Sequence, residues 1–282
     1  MVSLPRPIEL DGLDPIPSTL AIPLIGRAEA RRAFPSLGFE DAAAEAIAAR
    51  LVYEGAPTMR GHRAAVHGSI VRTQIVDEAA RAFLSAHPGC TVLTLGAGLC
   101  TRRARLGAAA ASGSRWIDVD LPAVAALRRG VFPEAVLVTG DLAAAGFVDR
   151  VLGALPPEQP CLVIAEGVLM FLDPAGADRV FEALHARLPA GSAIVFDRTH
   201  PAVVRTRRLV AAVYPSIRVT GATYHSGIAR IDDLPLRWPR FRVRAADLYS
   251  RRYTGFMRFA NRLLSALLGG NTFYDVALLE VT

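Results

Sequence analysis

The sequence predicts an α/β fold, a doubly wound and mostly parallel sheet of seven strands with helices on both faces. Three observations predict it. From Cys90 onward, short apolar runs alternate with longer helical stretches. A glycine-rich turn, Gly96-Ala97-Gly98, follows the first of those runs directly. Two more runs come after the fifth strand–helix unit, which is enough to close the sheet with an antiparallel hairpin.

Pro15, Pro17, Pro23 and Pro35 interrupt segment 15–35, which can therefore hold only short helices. Ala-rich Glu40 to Leu51 is helical. So is Ser69 to Leu84, with Ile70, Ile75, Val76, Ala79 and Phe83 on or near one face. The strands then read Thr91 to Leu95, Arg115 to Val119, Ala135 to Val138, Cys161 to Ala165 and Ser192 to Phe196. Their continuous apolar character marks strands buried on both faces. Helices fit between them at Thr101 to Ala111, Pro122 to Gly130, Ala143 to Leu152 and Pro174 to Leu188. A helical stretch from Val203 to Val213 leads to the strand Phe241 to Arg244, the helix Phe256 to Leu268 and a last strand from Tyr274 to Val281. Residues 1–88 read as an N-terminal helical cap. Residues 89–282 read as a Rossmann-like core with insertions after residue 199, the whole forming one structural unit.

Composition narrows the classes. With 52% hydrophobic residues the chain can bury a large core. No run approaches the roughly 20 apolar residues of a membrane span. The start Met1 to Pro5 lacks a charged region followed by an apolar one, so the expectation is a cytoplasmic protein without membrane partners. Cys90, Cys100 and Cys161 are odd in number and form no Cys-x-x-Cys pair, which supports neither disulfides nor zinc. All 32 basic residues are arginine, so Schiff-base and lysine-nucleophile chemistry is excluded. The net charge of +6 comes from dispersed arginines, with local clusters at 102–105, 205–208 and 237–252 and no aromatic interleaving. Nucleic acid is therefore not the expected partner; a small molecule is. The sequence is silent on oligomeric state.

In such a sheet the ligand crevice lies beyond the strand C-termini, beside the first strand and its loop. Glycines at 96 and 98 let the backbone approach a ligand closely, although a plain tight turn has the same pattern. About 24 residues after Gly96, Asp118-Val119-Asp120 ends the second strand. Asp120 is the candidate for accepting hydrogen bonds from two ribose hydroxyls, with a helix cap at Pro122 as its plainer role. Asp118 is expected to support the loop or to pair with an arginine such as Arg102. Nicotinamide enzymes share these features, but their fingerprint needs a third small residue where this chain has Thr101. Asp141 follows the third strand, where its carboxylate suits an adenine amino group. Glu166 follows the fourth, where it suits an ammonium or sulfonium. Three acids in successive units favour a ligand pocket. Arg72 offers forked donors for a carboxylate, or is simply a surface arginine.

Taken together, these residues resemble the leucine carboxyl methyltransferase family, in its bacterial branch of polyketide-tailoring O-methyltransferases. The resemblance rests on Ser18-Thr19-Leu20 through Ile22-Pro23-Leu24 with Arg27-Ala28, and on Arg72-Thr73-Gln74-Ile75-Val76-Asp77. It continues in Leu95 to Arg102, Trp116 to Pro122 and Ala165 to Leu172, so that it spans roughly residues 18 to 200. It implies a class I fold that binds S-adenosyl-L-methionine and releases S-adenosyl-L-homocysteine. It implies that Arg72 holds the cofactor carboxylate, that Gly96, Ala97 and Gly98 cradle the methionine portion and that Asp120 takes the ribose, with Asp118 beside it. Asp141 and Leu142 would contact adenine, and Glu166 would lie near the amino group. Cys100 departs from the Asp usual in the family, which puts one loop hydrogen bond in question.

The expected reaction is O-methylation of a small secondary metabolite, a polyketide-like phenol or carboxylate. Methyl transfer from a sulfonium is an in-line displacement that gains mostly from positioning. A carboxylate acceptor needs no base; a phenol benefits from one. His200 and His225 are the base candidates, and Met170, Phe171 and Tyr224 are the candidates for the acceptor pocket wall. His62, His67, His87 and His185 show no ligand spacing, and no metal is expected. The alternatives are a nicotinamide-dependent oxidoreductase, disfavoured by Thr101 and the absence of a Tyr-x-x-x-Lys pair, and a non-catalytic nucleoside-binding module.

Overall fold

The apolar runs become the strands of one sheet in the computed structural model, which describes residues 7–111, 113–252 and 255–282. Met1 to Pro5, on which the expected absence of a leader rested, lies outside these residues. The strands are β1 (Thr91–Leu95), β2 (Arg115–Asp120), β3 (Val136–Thr139), β4 (Cys161–Ala165), β5 (Ala193–Thr199), β6 (Phe241–Ala245) and β7 (Tyr274–Val281). Their order is β3-β2-β1-β4-β5-β7-β6. Every pair is parallel except those of β7, which runs antiparallel to both β5 and β6. The sheet is thus seven-stranded and mostly parallel with an antiparallel last strand, as the sequence predicted.

Period-two alternation sends the side chains of each strand to two separate cores. Leu93 and Leu95 join Val148, Val180 and Leu184 on one face, while Val92 joins Val76, Phe83 and Leu84 on the other. The helices that cover these faces include α3 (Arg63–Ala86), α6 (Phe147–Gly153) and α7 (Pro174–Arg187). Ahead of them come α1 (Ala21–Ala28) and α2 (Ala42–Ala48), and between them α4 (Arg102–Leu106) and α5 (Pro122–Val131). Leu24 and Ile25 of α1 and Ile47 of α2 pack with Leu99 and Val124, which seats the N-terminal segment over the glycine loop. After β5 come the short helices Pro201–Arg205, Arg207–Val213 and Pro215–Thr220, and β6 is followed by α8 (Gly255–Leu267). No helix among the described residues is long and apolar enough to cross a membrane.

Several boundaries differ from the sequence expectation: α3 starts six residues earlier, at Arg63, and α2 ends three residues earlier, at Ala48. Three others have a plain local reason. α6 begins at Phe147 rather than Ala143 because Gly146 precedes it with φ of 70°, a left-handed conformation that no helix continues through. α4 stops at Leu106 because Gly107 has φ of 51°. β5 runs on through Asp197, Arg198 and Thr199, which pair with Val276, Asp275 and Tyr274 of β7. Their polarity hid the strand, yet all three are buried.

Candidate active site

The strand order reverses at β1, whose neighbours β2 and β4 lie on opposite sides, so the loops after β1 and β4 part there and leave a crevice. The glycine loop leaves β1 with the amides of Gly96 and Ala97 both donating to the Val119 carbonyl, at 2.9 and 3.1 Å. Gly96 has φ of 65°, and a Cβ there would stand 2.7 Å from Val168 of the β4 loop. A side chain would fill the crevice. Two buried arginines hold the loop from beneath. Arg128 donates to the carbonyls of Gly98 and Cys100, at 3.0 and 3.1 Å, and Arg27 to that of Leu99 at 3.0 Å.

Asp120 closes the loop from the neighbouring strand. Its carboxylate accepts from the Gly98 amide at 2.6 Å and the Leu121 amide at 2.8 Å. Burial lifts this carboxyl above its ordinary value, against the pull of those amides and of Arg128. Asp118 pairs with an arginine, as expected, but with Arg128 and not with Arg102. The pair is buried, at 2.6 and 2.9 Å, and Asp118 does not line the cavity. Arg102 turns the other way, to Asp77 at 2.7 Å and to Glu166. Geometry explains the difference: Arg128, ten residues on in α5, reaches back under the loop, whereas Arg102 at the head of α4 points towards α3.

Behind the loop lies a balanced ionic network. Arg27, Arg72, Arg102 and Arg105 meet Asp41, Asp77, Glu166 and Asp197. Each Glu166 oxygen faces a guanidinium, Oε1 taking Arg72 Nε at 2.9 Å and Oε2 taking Arg102 Nη2. Burial opposes the charge of Glu166, but Arg102 and Arg72 outweigh it and hold the carboxyl far below the usual carboxylate range. Arg72 Nη1 also donates to Asp197 at 3.0 Å and to the Tyr274 hydroxyl at 3.1 Å, and Asp197 accepts from the Gly167 amide at 2.6 Å. Cys100, at the family's usual Asp position, accepts a long contact of 3.5 Å from Arg102. Arg72 Nη2 has no partner among the described residues, and Arg72 lines the cavity. One strong donor therefore remains for a ligand carboxylate. Beyond β3, Asp141 accepts from the Ala143 amide at 2.8 Å through Oδ1, which leaves Oδ2 without a protein partner among the described residues, while Leu142 lines the same cavity.

The cavity measures about 1100 Å³. That is the upper end of the range for small-molecule sites, roughly 300–1,000 Å³. One end carries Arg72, Gly96, Ala97, Gly98, Asp120, Asp141, Leu142 and Glu166. Met170, Phe171 and Tyr224, the expected pocket-wall residues, also line this cavity, with Phe34, Tyr214 and Tyr249, while Tyr274 lines it beside Arg72. Phe171 and Tyr224 stack with centroids 5.5 Å apart. Burial pushes the Tyr214 and Tyr224 phenols up, and neither hydroxyl has a protein hydrogen-bond partner among the described residues. His225 stands exposed at the rim, its Nε2 3.1 Å from Thr223 Oγ1. His200 does not line the cavity. It caps the helix Pro201–Arg205, Nδ1 accepting from the Ala202 amide at 3.2 Å. With Nδ1 so engaged, the neutral ring carries its proton on Nε2 and has no free lone pair for a substrate proton.

Sequence reasoning missed Asp197 and Tyr274. A signal existed in Ile194-Val195-Phe196-Asp197: a carboxylate closing a fully apolar strand needs a buried cation, and Arg72 is that cation.

The residues at the first end fit an adenosyl group that carries an amino acid. The loop offers a cradle a Cβ would fill, Asp120 and Asp141 keep acceptor capacity, and Arg72 keeps a donor. Comparison with known proteins gives the same direction. Residues 16–185 match the family model described as leucine carboxyl methyltransferase. The chain is 33% identical over 230 residues to the tetracenomycin polyketide synthesis O-methyltransferase TcmP of Streptomyces glaucescens, covering 79% of each. Among solved structures, a protein from Thermobifida fusca YX assigned as a methyltransferase aligns with a TM-score of 0.55 at 15% identity, over 91% of this chain and 94% of that one. An O-methyltransferase family protein from Burkholderia thailandensis aligns with a TM-score of 0.48 at 14% identity, over 80% of this chain and 60% of that one.

Proposed function

The chain belongs to the leucine carboxyl methyltransferase family and uses S-adenosylmethionine, and from that premise we propose that it methylates an oxygen of a small, largely apolar aromatic acceptor, a polyketide-like phenol or carboxylate. The observation that carries the acceptor class is the far end of the cavity. Its wall is aromatic, with Phe34, Phe171, Tyr214 and Tyr224 lining one space, and two phenol hydroxyls there lack protein partners among the described residues. Flat apolar rings suit such a wall, and the hydroxyls give polar substituents something to bond. The 33% identity to a polyketide O-methyltransferase supports the same class.

In this reading Arg72 Nη2 donates to the cofactor carboxylate, and Glu166, held ionised by two arginines, faces its amino group. Asp120 accepts from the ribose hydroxyls, and Asp141 with Leu142 borders the adenine. Gly96, Ala97 and Gly98 let the backbone come close. The bound cofactor supplies a methyl group on a positively charged sulfur. The chain's part is to orient the acceptor oxygen in line with it and to exclude water, a contribution worth roughly 7–11 kcal/mol in well-aligned cases. His225 takes the proton when the acceptor is a phenol; a carboxylate needs no base.

Calorimetry with S-adenosylhomocysteine tests the cofactor end, where we expect one site per chain. The acceptor end is tested by incubation with isotope-labelled S-adenosylmethionine and a panel of aromatic phenols, aromatic acids and amines. Label on oxygen supports the proposal, and label found solely on amine nitrogen overturns it.

A further inference from the structure

The charge of this chain is strikingly uneven in one respect: segments 201–230 and 248–274 carry nine arginines and no carboxylate, while the remaining residues hold 23 arginines against 26 carboxylates. The whole positive excess therefore sits in two segments. Both reach the acceptor end of the cavity, the first through Val203, Tyr214 and Ile217, the second through Tyr249, Arg252 and Asn261. Arg252 is paired with Glu78 and Arg230 with Asp233, whereas Arg207, Arg208, Arg218 and Arg262 form no ion pair among the described residues.

Apolar side chains stand out of the same segments. On α8, Phe259, Leu263 and Leu267 recur every four residues and are 65%, 59% and 77% exposed. They form a stripe about 12 Å long at 1.5 Å per residue. Arg258 and Arg262 flank it on the exposed side. On the helix Arg207–Val213, Leu209 is 63% exposed beside Arg207 and Arg208. An apolar stripe bordered by arginines, on a helix without a single acid, is the pattern of a helix that lies in a membrane interface.

We propose that this face docks on an anionic phospholipid bilayer, with α8 lying in the headgroup layer and the acceptor mouth turned towards the lipid. Charge complementarity selects the partner: the arginines match anionic headgroups, and the exposed phenylalanine and leucines enter the acyl boundary. Nucleic acid would leave the apolar stripe unrewarded. A protein partner would need a groove shaped to two separate helices, whereas a bilayer needs no such match. The inference does not depend on the acceptor's identity, and it needs no spanning helix, of which there is none among the described residues, because the chain lies on the surface instead of crossing it.

Sedimentation of the full chain with vesicles tests it, comparing phosphatidylcholine mixed with phosphatidylglycerol against phosphatidylcholine alone. Binding should favour the anionic vesicles and fall as salt rises. Phe259→Ser with Leu263→Ser, and separately Arg208→Glu with Arg262→Glu, should each lower the partition coefficient on the order of tenfold. All four positions are exposed, so the thermal midpoint and the affinity for S-adenosylhomocysteine should hold, which separates lost docking from lost folding. Equal partition into both vesicle types, or partition unmoved in both variants, overturns the proposal. So does binding to duplex DNA or to an acidic protein without binding to the anionic vesicles.

Discussion

Two residues apart on β2, Asp120 gives its carboxylate to the loop amides and the cavity, while the carboxylate of Asp118 is taken up by Arg128. Asp120→Ala should weaken S-adenosylhomocysteine binding on the order of ten- to a hundredfold, since a hydrogen bond to a charged group contributes about 1.5–3 kcal/mol. Asp118→Ala should act on stability first. It strands a buried guanidinium, at about 3–5 kcal/mol by denaturant unfolding. Equal effects of the two variants on affinity, at equal stability, would remove the ribose role from Asp120. At the base positions, His200→Ala should cost about 0.5–2 kcal/mol as a lost helix cap and leave the pH profile of turnover alone. His225→Ala should slow turnover of a phenol acceptor and leave that of a carboxylate acceptor unchanged. The acids at strand ends were legible in the sequence because each follows an apolar run. Asp197 and Tyr274 were not, because what gives them their place is a pairing between β5 and β7 that no local pattern announces.

The strands themselves were legible to within a residue or two, since burial on both faces leaves a continuous apolar run with sharp ends. Where polar side chains are buried by ion pairing, the run misleads, and β5 ends three residues beyond its apolar part because Arg198 meets Asp275 at 3.8 Å. The turn after β1 was read from glycine alone; its support by Arg27 and Arg128 was not, because the two arginines come from α1 and α5, far from the loop in sequence. A side chain at Gly96 tests how closely that loop is fitted. Gly96→Ala puts a Cβ at φ of 65° and within 2.7 Å of Val168. The backbone term alone is about 1–2 kcal/mol, and the clash adds to it. Unfolding should shift to lower denaturant, and cofactor affinity should fall more than stability does. If Val168→Ala restored neither, the close approach of the two loops would not be the cause.

Across the molecule, the buried carboxylates divide into two groups with opposite pH behaviour. Glu166 and Asp41 are both opposed by burial but held low by their arginines, so their stabilisation is complete above the unfolded carboxyl value and is lost as pH falls below about 4. Asp275, pushed up to about 6 by burial, takes its proton in the folded state before the unfolded chain does. Its contribution therefore grows as pH falls from above 6 towards 4. The unfolding midpoint should hold or rise across that window and then drop steeply; Asp275→Asn should flatten the first part and leave the drop. A midpoint that declines evenly from neutral pH in both chains would contradict this division. The position of β7 between β5 and β6 also sets the order in which the pocket can mature. Arg72 and the Tyr274 hydroxyl that it touches lie 202 residues apart. A chain emerging from the ribosome has the glycine loop, Asp120 and Glu166 in hand long before it has the strand that completes their ionic network. Until then Arg72 and Asp197 lack their third partner, and β5 presents an open edge to whatever strand arrives first. Biosynthesis thus gives the cofactor end of this protein a vulnerable interval, closed only when β7 slots in.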